Sequence, residues 1–486
     1  MQAYQIPNIY HKKVILALGA ESAGNFSLWE NGTLHFSQDF GDLANEQNFS
    51  DFKTTLLKFF KDQEIKPDII LSDLHPLFET TKLAQQLAKK YKAQYFPVQH
   101  HHAHVFSALG EQIIEHETWS MEQKLIHNTQ NTNPTGLCED VLRQATPERC
   151  QALDRHEFSS TKILAMTKSG ISHTILGIAC DGTGLGTDGK IWGGEVFKMS
   201  NVKYQISNKI QDSKIKIQRI GHLENQVLLG GEMAIQEPAR FIIAMINKFP
   251  ISNFQFPIKS QFSNVRNKKQ LAYELTKKYY SKNEFEVLWS QLEQNFNCLE
   301  TSSTARVLDA VSVLLRFSKN ERLSKHGPIA LLEKNSTKPY LDIKPKISNY
   351  KLRITNNIQD TDIKPKISNC KLQIPNELLI LNTTCLFEYL IKNLHKDKKR
   401  LAATAQKYIA DGMVEIITIY NRQHTTDNIH NTSYKIHNTY FASGGMTNNK
   451  IISETMEKQG FYLNKKIPRG DAGLSFGQIM FCLLTK

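Results

Sequence analysis

At 486 residues, with 40% hydrophobic and 9% aromatic content, the chain carries enough apolar material for two or three cored domains and is not a disordered polymer. No window of about 18 uninterrupted apolar residues occurs, the opening MQAYQIPNIYHKK lacks the apolar centre of a signal peptide, and the seven cysteines include no CxxC pair, which argues for a cytoplasmic location and against export, membrane insertion, a disulfide framework or a zinc finger. The net charge of +13 would point to nucleic acid if it covered one folded face, but between Lys319 and Pro375 twelve Lys/Arg stand against five acids, over half of the excess, so nucleic acid is not the expected partner.

In chain order, an N-terminal extension (residues 1–12) precedes KVILALGAE, a β run ending near a glycine, and WENGTLHFSQDF carries the Asn-Gly signal of a hairpin. FKTTLLKFFKDQ reads as an amphipathic helix, PDIILSDL as a buried strand, TTKLAQQLAKKYK as a second helix and YFPVQH as a short strand. These units form a first α/β lobe over residues 13–172. Periodicity is lost from about 112 to 172, the mark of an inserted excursion. A second lobe, residues 173–486, opens with HTILGIACDGTGLGTDGKIWGGEVF, a strand, a Gly-rich turn and a second strand. Near its end TYFASGGMTNNKIISETMEKQG is again strand, Gly-Gly turn and helix, so a nucleotide held between two lobes is expected.

Two further insertions are expected at about 335–375 and 424–438. In the first, DIKPKISNYKLRI from Asp342 recurs as DIKPKISNCKLQI from Asp362. Two copies are too few for a solenoid, which leaves a small hairpin or a flexible arm. IHNT at Ile126, Ile429 and Ile436 sits in Asn/Thr/His-rich surroundings that read as loop expansions.

The chemistry concentrates in three places. PVQHHHAHVFSALGE sets His100 and His104 four apart, on one face of a helix, where both can point at one ion. Two ligands are few for a transition metal, so a polar helix start with spare histidines stays open. In ACDGTGLGTDG the glycines at 182, 184, 186 and 189 allow φ > 0 and close backbone approach to phosphate oxygens, and Asp181 is placed to hold magnesium or a ribose hydroxyl. A plain hairpin turn is the alternative. Gly444 and Gly445 precede a helix whose N-terminal end favours anions, with Asn449 facing the pocket. Asp471, in a turn before an apolar helix, reads alone as an N-cap.

LALGAE at Leu16, FSQDFGDLAN at Phe36, SDLHP at Ser72, PVQHHHAH at Pro97, DGTGLGTDGKIWGGE at Asp181, GGEMAIQEPAR at Gly230, TSSTARVLDAVSVLL at Thr301, SGGMTNN at Ser443 and DAGLSFGQ at Asp471 follow one another in order. This series resembles the C-terminal carbamoyltransferase region of the hydrogenase maturation factor HypF, which is grouped with the tRNA-modifying TsaD family among actin-like ATPases. The resemblance implies a two-lobed actin-like (ASKHA) α/β fold with RNase H-like lobes and inserted loops.

It also implies roles by position. His100, His104 and Asp471 match a divalent-metal site for iron or zinc. Asp181, Gly182, Thr183, Gly184, Asp309, Gly327, Gly444, Gly445 and Asn449 match nucleotide-pocket positions, with magnesium a further candidate cofactor, and Gly230, Gly231, Glu232, Glu237 and Arg240 form a candidate substrate loop. The implied reaction moves a carbamoyl group from an ATP-derived carbamoyl-adenylate to the C-terminal cysteine of a HypE-like acceptor, for the cyanide ligands of nickel-iron hydrogenase.

Departures accompany the matches. The acylphosphatase, zinc-finger and YrdC-like domains that normally begin such proteins do not fit into twelve residues, so a separate YrdC-like, acylphosphatase-containing partner would supply the adenylate. Ala23 and Gly24 stand where the family has a Lys-Asn pair, Glu232 replaces an aspartate, Ala305 a glycine and Gln406 a histidine. A nucleotide-binding scaffold without transfer, or a HypF fragment, is therefore the alternative, and tRNA threonylcarbamoyl transfer is a third reading.

Overall fold

Apolar spacing and local caps decide the elements of the first lobe. The computed structural model describes residues 1–6, 11–130, 173–202, 215–250, 265–351, 377–425 and 439–485. The first lobe contains β1 (Gln2–Gln5), β2 (Ile15–Ala17), β3 (Ser27–Glu30), β4 (Thr33–Phe36), α1 (Glu46–Asp62), β5 (Ile69–Asp73), α2 (Glu79–Tyr91), β6 (Gln94–Val98) and α3 (His100–Gln130). The sheet runs β1-β4-β3-β2-β5-β6. Its hairpin turns at Asn31 (φ 48) and Gly32 (φ 83), the left-handed pair that an Asn-Gly hairpin requires. α1 starts because the Asn45 side chain accepts from the Gln47 and Asn48 amides, and it buries Phe52, Leu56 and Phe60 at intervals of four.

The chain then forms β7 (His173–Leu185), β8 (Ile191–Val202), β9 (Lys216–Leu223), β10 (Gln226–Leu229), α4 (Met233–Gln236), α5 (Ala239–Asn247), α6 (Lys268–Thr276), α7 (Lys282–Glu293), β11 (Cys298–Thr301), α8 (Thr304–Leu314) and α9 (Gly327–Lys334). β12 (Ile347–Lys351), β13 (Glu377–Leu381), α10 (Thr383–Lys392), α11 (Lys398–Thr425), β14 (Thr439–Ser443), α12 (Lys450–Lys458), β15 (Tyr462–Leu463) and α13 (Leu474–Thr485) complete it, with 3-10 turns at Gly445–Asn448 and Asp471–Gly473. The second sheet is built on the path β12-β13-β9-β8-β7-β14-β15.

What positions the site is the parallel pairing in each sheet. β2, β5 and β6 run parallel, so the chain beyond Ala17, Asp73 at the end of β5 and the start of α3 emerge at one edge. β14 runs parallel to β7 with Ser443 opposite Ala179, which delivers Asp181 and Gly444 side by side. Ligands of open α/β sheets gather at such carboxyl ends.

Three differences from the sequence expectations have local causes. The Gly-rich segment is not a turn at a strand end: β7 runs on to Leu185, and the register slips between Cys180 and Gly184, so residues 181–183 bulge while the turn itself closes at Gly186–Lys190. Of the four glycines there only Gly189 has φ > 0; Gly184 and Gly186 are required because a Cβ would fall 2.7 Å from the His101 ring at the first and overlap the Trp192 indole at the second. The final helix α13 crosses back to the first lobe, where Gln478 exchanges hydrogen bonds with Gly19 (3.0 and 3.2 Å) and Gly477 lets the helix meet Ala103 of α3. α3 continues to Gln130, through the start of the segment that had lost periodicity.

Gln2–Gln5 of the N-terminal extension adds an edge strand to β4. The first copy of the duplication supplies β12, which pairs antiparallel with β13. The second copy, residues 131–172 and most of 424–438 lie outside the described residues.

Candidate metal centre

A carboxylate or imidazole is buried at measurable cost unless paired, and four such groups converge where the lobes meet. His100, His104, Asp181 and Asp471 are all buried, and each offers one ligand atom within 4.8 Å of the others. The histidines come from the first turn of α3, Asp181 from the β7 bulge, and Asp471 from the 3-10 turn before α13. His100 Nε2 lies 3.2 Å from Asp181 Oδ2 and 3.5 Å from Asp471 Oδ1; His104 Nε2 lies 3.5 and 3.7 Å from the same atoms.

Surrounding groups fix these side chains. Asp73 Oδ2 takes the Nδ1 hydrogen of His100 at 2.7 Å, which leaves Nε2 turned toward the carboxylates. Gly445 N–H donates to Asp181 Oδ1 at 3.1 Å. On Asp471, Oδ2 accepts from Ser22 Oγ and from Lys325 Nζ at 2.9 Å, leaving Oδ1 toward the histidines. Gly444, at φ 103, has room for no side chain, since a Cβ would stand 2.4 Å from the Cys180 carbonyl oxygen.

Burial lowers the His100 pKa, but Asp73, Asp181 and Asp471 more than offset it and hold it well above the ordinary value. For Asp181, burial pushes upward while His104 and His100 pull harder downward, and the Asp471 carboxyl is likewise depressed by His100 and Lys325 against burial and Asp181. Close contact of two carboxylates and two imidazoles is favourable only with cations among them.

The other two histidines do different work. His101 Nδ1 bonds Gln99 Nε2 at 3.0 Å, and its pKa is driven well down by burial and by its histidine neighbours. His102 packs edge-on to Phe197 with ring centroids 4.9 Å apart, and burial pushes it down to about 3. Both are core side chains, as their helical offset from the metal face requires.

The nucleotide positions divide. Asp181, Gly182, Gly444 and Gly445 are assembled around the cluster, with the Gly182 carbonyl accepting from Ser303 Oγ at the start of α8. Thr183 is exposed on the bulge, and Gly327 begins α9 directly after His326, whose ring comes to 4.0 Å of a Cβ at Gly445. Asp309 is buried in α8, where Arg306 Nη2 approaches to 3.1 Å and Arg322 Nε to 3.9 Å. Asn449 departs from its expected orientation. Its Oδ1 caps α12 through Ile452 N–H, and its Nδ2 donates to Gln406 Oε1 at 2.6 Å, so its carboxamide is occupied within the fold.

Gly230 and Gly231 (φ 83 and 61) form a turn beside Glu237 and Arg240. Glu237 Oε2 accepts from Arg240 Nε at 2.8 Å and Tyr280 OH at 3.0 Å, while Glu232 is exposed. These contacts tie the candidate substrate loop to α7 and its approach rather than to the four-residue cluster. Three groups at the cluster were not singled out in the sequence: Asp73, Ser22 and Lys325. Asp73 had a signal, an aspartate closing the apolar run PDIILSD before a His-Pro; Lys325 had none.

Comparisons with known proteins follow this geometry. Residues 177–478 match the family described as Carbamoyltransferase, Kae1-like Domain, second subdomain, and residues 10–111 match the HypF Kae1-like domain. The chain is 29% identical to a probable carbamoyltransferase HypF of Methanocaldococcus jannaschii, over 97% of this chain and 46% of that protein. It is 24% identical to carbamoyltransferase HypF of a Synechocystis species, over 73% of this chain and 36% of the relative. The chain thus spans less than half the length of each of these two relatives. In fold it resembles crystal structures of full-length HypF in a phosphate- and nucleotide-bound form and of T. kodakarensis HypF, both with a TM-score of 0.65 over 99% of this chain, at 19% and 22% identity. The two-lobed actin-like α/β fold implied by the motifs is therefore the fold observed.

Proposed function

Because the chain belongs to the HypF Kae1-like carbamoyltransferase family, we propose that it transfers a carbamoyl group from carbamoyl-adenylate to the C-terminal cysteine of a HypE-like acceptor in nickel-iron hydrogenase maturation. The observation that carries the reading is the convergence of His100, His104, Asp181 and Asp471 within 4.8 Å at the lobe junction.

The residues fit a divalent ion. Two imidazole nitrogens and two carboxylate oxygens are a donor set for zinc or ferrous iron. His104 Nε2 is buried without a hydrogen-bond partner among the described residues, and because Asp73 takes the Nδ1 hydrogen of His100, a bound ion that displaced the Nε2 proton would meet a lone pair there. A bound ion would supply Lewis-acid polarisation and neutralise charge on the leaving nucleotide.

The chain's own groups do the rest. Gly445 N–H and the bulge at 181–183 orient Asp181 and present backbone to the nucleotide. Lys325 and Ser22 hold Asp471 by its outer oxygen. Burial of all four ligand side chains keeps water from them. Cys180, beside Asp181 in the chain, donates its thiol to Thr304 Oγ1 and is pushed up to about 12 by burial. It carries no thiolate at neutral pH, so the attacking sulfur is assigned to the acceptor.

The test is transfer itself. Zinc- or iron-loaded protein given carbamoyl-adenylate should carbamoylate an acceptor tail ending in cysteine, read by mass spectrometry of the tail. His104→Ala should abolish both metal retention and labelling. Metal-loaded protein that never labels the tail, or full activity in His104→Ala, would refute the assignment.

A further inference from the structure

We infer that Lys325 is the residue that receives the phosphate of the nucleotide substrate at the rim of the metal centre. This rests on the metal reading above, and it assigns a role to a side chain outside the ligand set. Lys325 lies in the segment leading into α9, on the second lobe, and its Nζ reaches Asp471 Oδ2 at 2.9 Å and Ser22 Oγ at 2.9 Å. Ser22 lies just beyond β2 of the first lobe, so the ammonium bridges the two lobes at the mouth of the cluster. Its side chain is 44% exposed whereas that of Asp471 is 9% exposed. One end of the pair thus faces the buried ligands and the other faces solvent.

Charge explains why a cation is needed there. Asp73, Asp181 and Asp471 surround the histidines, and three carboxylates around a dication leave one negative charge. A site in that state repels an incoming phosphate. Lys325 cancels the excess, and it does so from the open side, where an anion bound against the metal must pass. An ammonium has three donors on a flexible stem. Asp471 and Ser22 Oγ hold two of them at 2.9 Å, and the remaining contact, to the Ser22 carbonyl oxygen, is long at 3.4 Å. The third donor is therefore the one exchanged for a phosphate oxygen. Arg322, whose Nη2 donates to the Lys325 carbonyl, belongs to the same segment, so a second cation stands behind Lys325 there.

The experiment compares AMP with adenosine, which differ by the phosphate alone. Calorimetric titrations of the full chain, with and without zinc, should show wild-type protein preferring AMP. At saturating zinc, Lys325→Met should lose roughly tenfold of that preference, the size of a charge-assisted hydrogen bond, with adenosine affinity unchanged. Lys325→Arg should restore most of it. A purely structural lysine would alter AMP and adenosine together. Wild-type preference retained in Lys325→Met overturns the assignment while leaving the metal reading intact, as does wild-type protein that binds the two ligands equally. Failure of zinc to bind at all refutes the metal reading separately.

Discussion

Two buried polar clusters share the helix α3, and they are built on opposite plans. At its start, His100 and His104 face the carboxylates of Asp181 and Asp471, and His104 Nε2 has no hydrogen bond among the described residues. Seven residues after His104, about two turns, Glu111 is equally buried but saturated. Its Oε1 accepts from Lys465 N–H at 2.7 Å, Lys466 N–H at 2.9 Å and Tyr462 OH at 3.2 Å, and its Oε2 from Ile467 N–H at 2.8 Å and Asn464 Nδ2 at 3.2 Å. A buried group with every lone pair used stabilises a chain path; a buried group facing others of its own kind is completed from outside. The Glu111 clamp grips residues 464–467, the approach to Asp471, so the saturated cluster sets the geometry of the unsaturated one.

The largest effect should come from breaking the clamp. Glu111→Ala strands three backbone N–H groups in the interior, and a loss of about 3–5 kcal/mol is expected in urea unfolding. Its zinc affinity should fall as well, because Asp471 loses its guide. His104→Ala removes a nitrogen that faces Asp181 and Asp471 at 3.5 and 3.7 Å, so zinc-free stability should drop less than in Glu111→Ala, by the cavity and the weakened pairing of Asp181, roughly 1–3 kcal/mol, while zinc binding disappears. Equal destabilisation by the two substitutions would erase the distinction between the clusters.

A smaller effect sharpens the metal side. Asp73→Asn keeps the size of the side chain but weakens its hold on the His100 Nδ1 hydrogen. Outer partners of this kind are worth about 10–100-fold in metal affinity. Competition with a zinc chelator measures it, and cobalt substitution adds a spectroscopic signature: the exchangeable Nδ1 proton of His100 should shift or broaden in the variant. Unchanged affinity and spectrum would remove Asp73 from the site.

Much of this was legible in the sequence, and the gaps have physical causes. Period-two and period-3.6 patterns found α1, β5, α2 and the β7 and β14 units because those segments bury one face or one run, and the Asn31-Gly32 hairpin announced itself through turn chemistry. The His100/His104 pair was visible from its spacing, but spacing supplies only two ligands. Asp471 entered through the family motif, and Asp181, expected against the nucleotide, stands among the metal-facing groups because the β7 bulge turns it inward. Lys325 could not be found, since its partners Ser22 and Asp471 are distant in the chain and meet only through the lobe arrangement. The bulge itself was hidden because glycines that avoid Trp192 and His101 look in sequence like glycines that need φ > 0.

The most gradual effect, spread over pH, comes from a buried histidine outside both clusters. His222 on β9 donates its Nδ1 hydrogen to the Leu223 carbonyl at 2.5 Å, and burial, aided by Arg219, pushes it down to about 4. The unfolded chain has an ordinary histidine near 6.5. As pH falls below that value the unfolded form takes up a proton that the folded form refuses, so stability is complete above about pH 6.5 and is lost progressively toward pH 4. The expected slope is about 1.4 kcal/mol per pH unit from this residue. Urea midpoints of zinc-free protein across that window, compared with His222→Gln, isolate its share, because glutamine does not titrate and can still donate to the carbonyl. An identical slope in the variant would mean that His222 is protonated in the fold after all, with Glu195 and Asp188 outweighing burial. Its burial would then resemble that of His100, which carboxylates hold above its ordinary value, rather than that of the neutral core histidines.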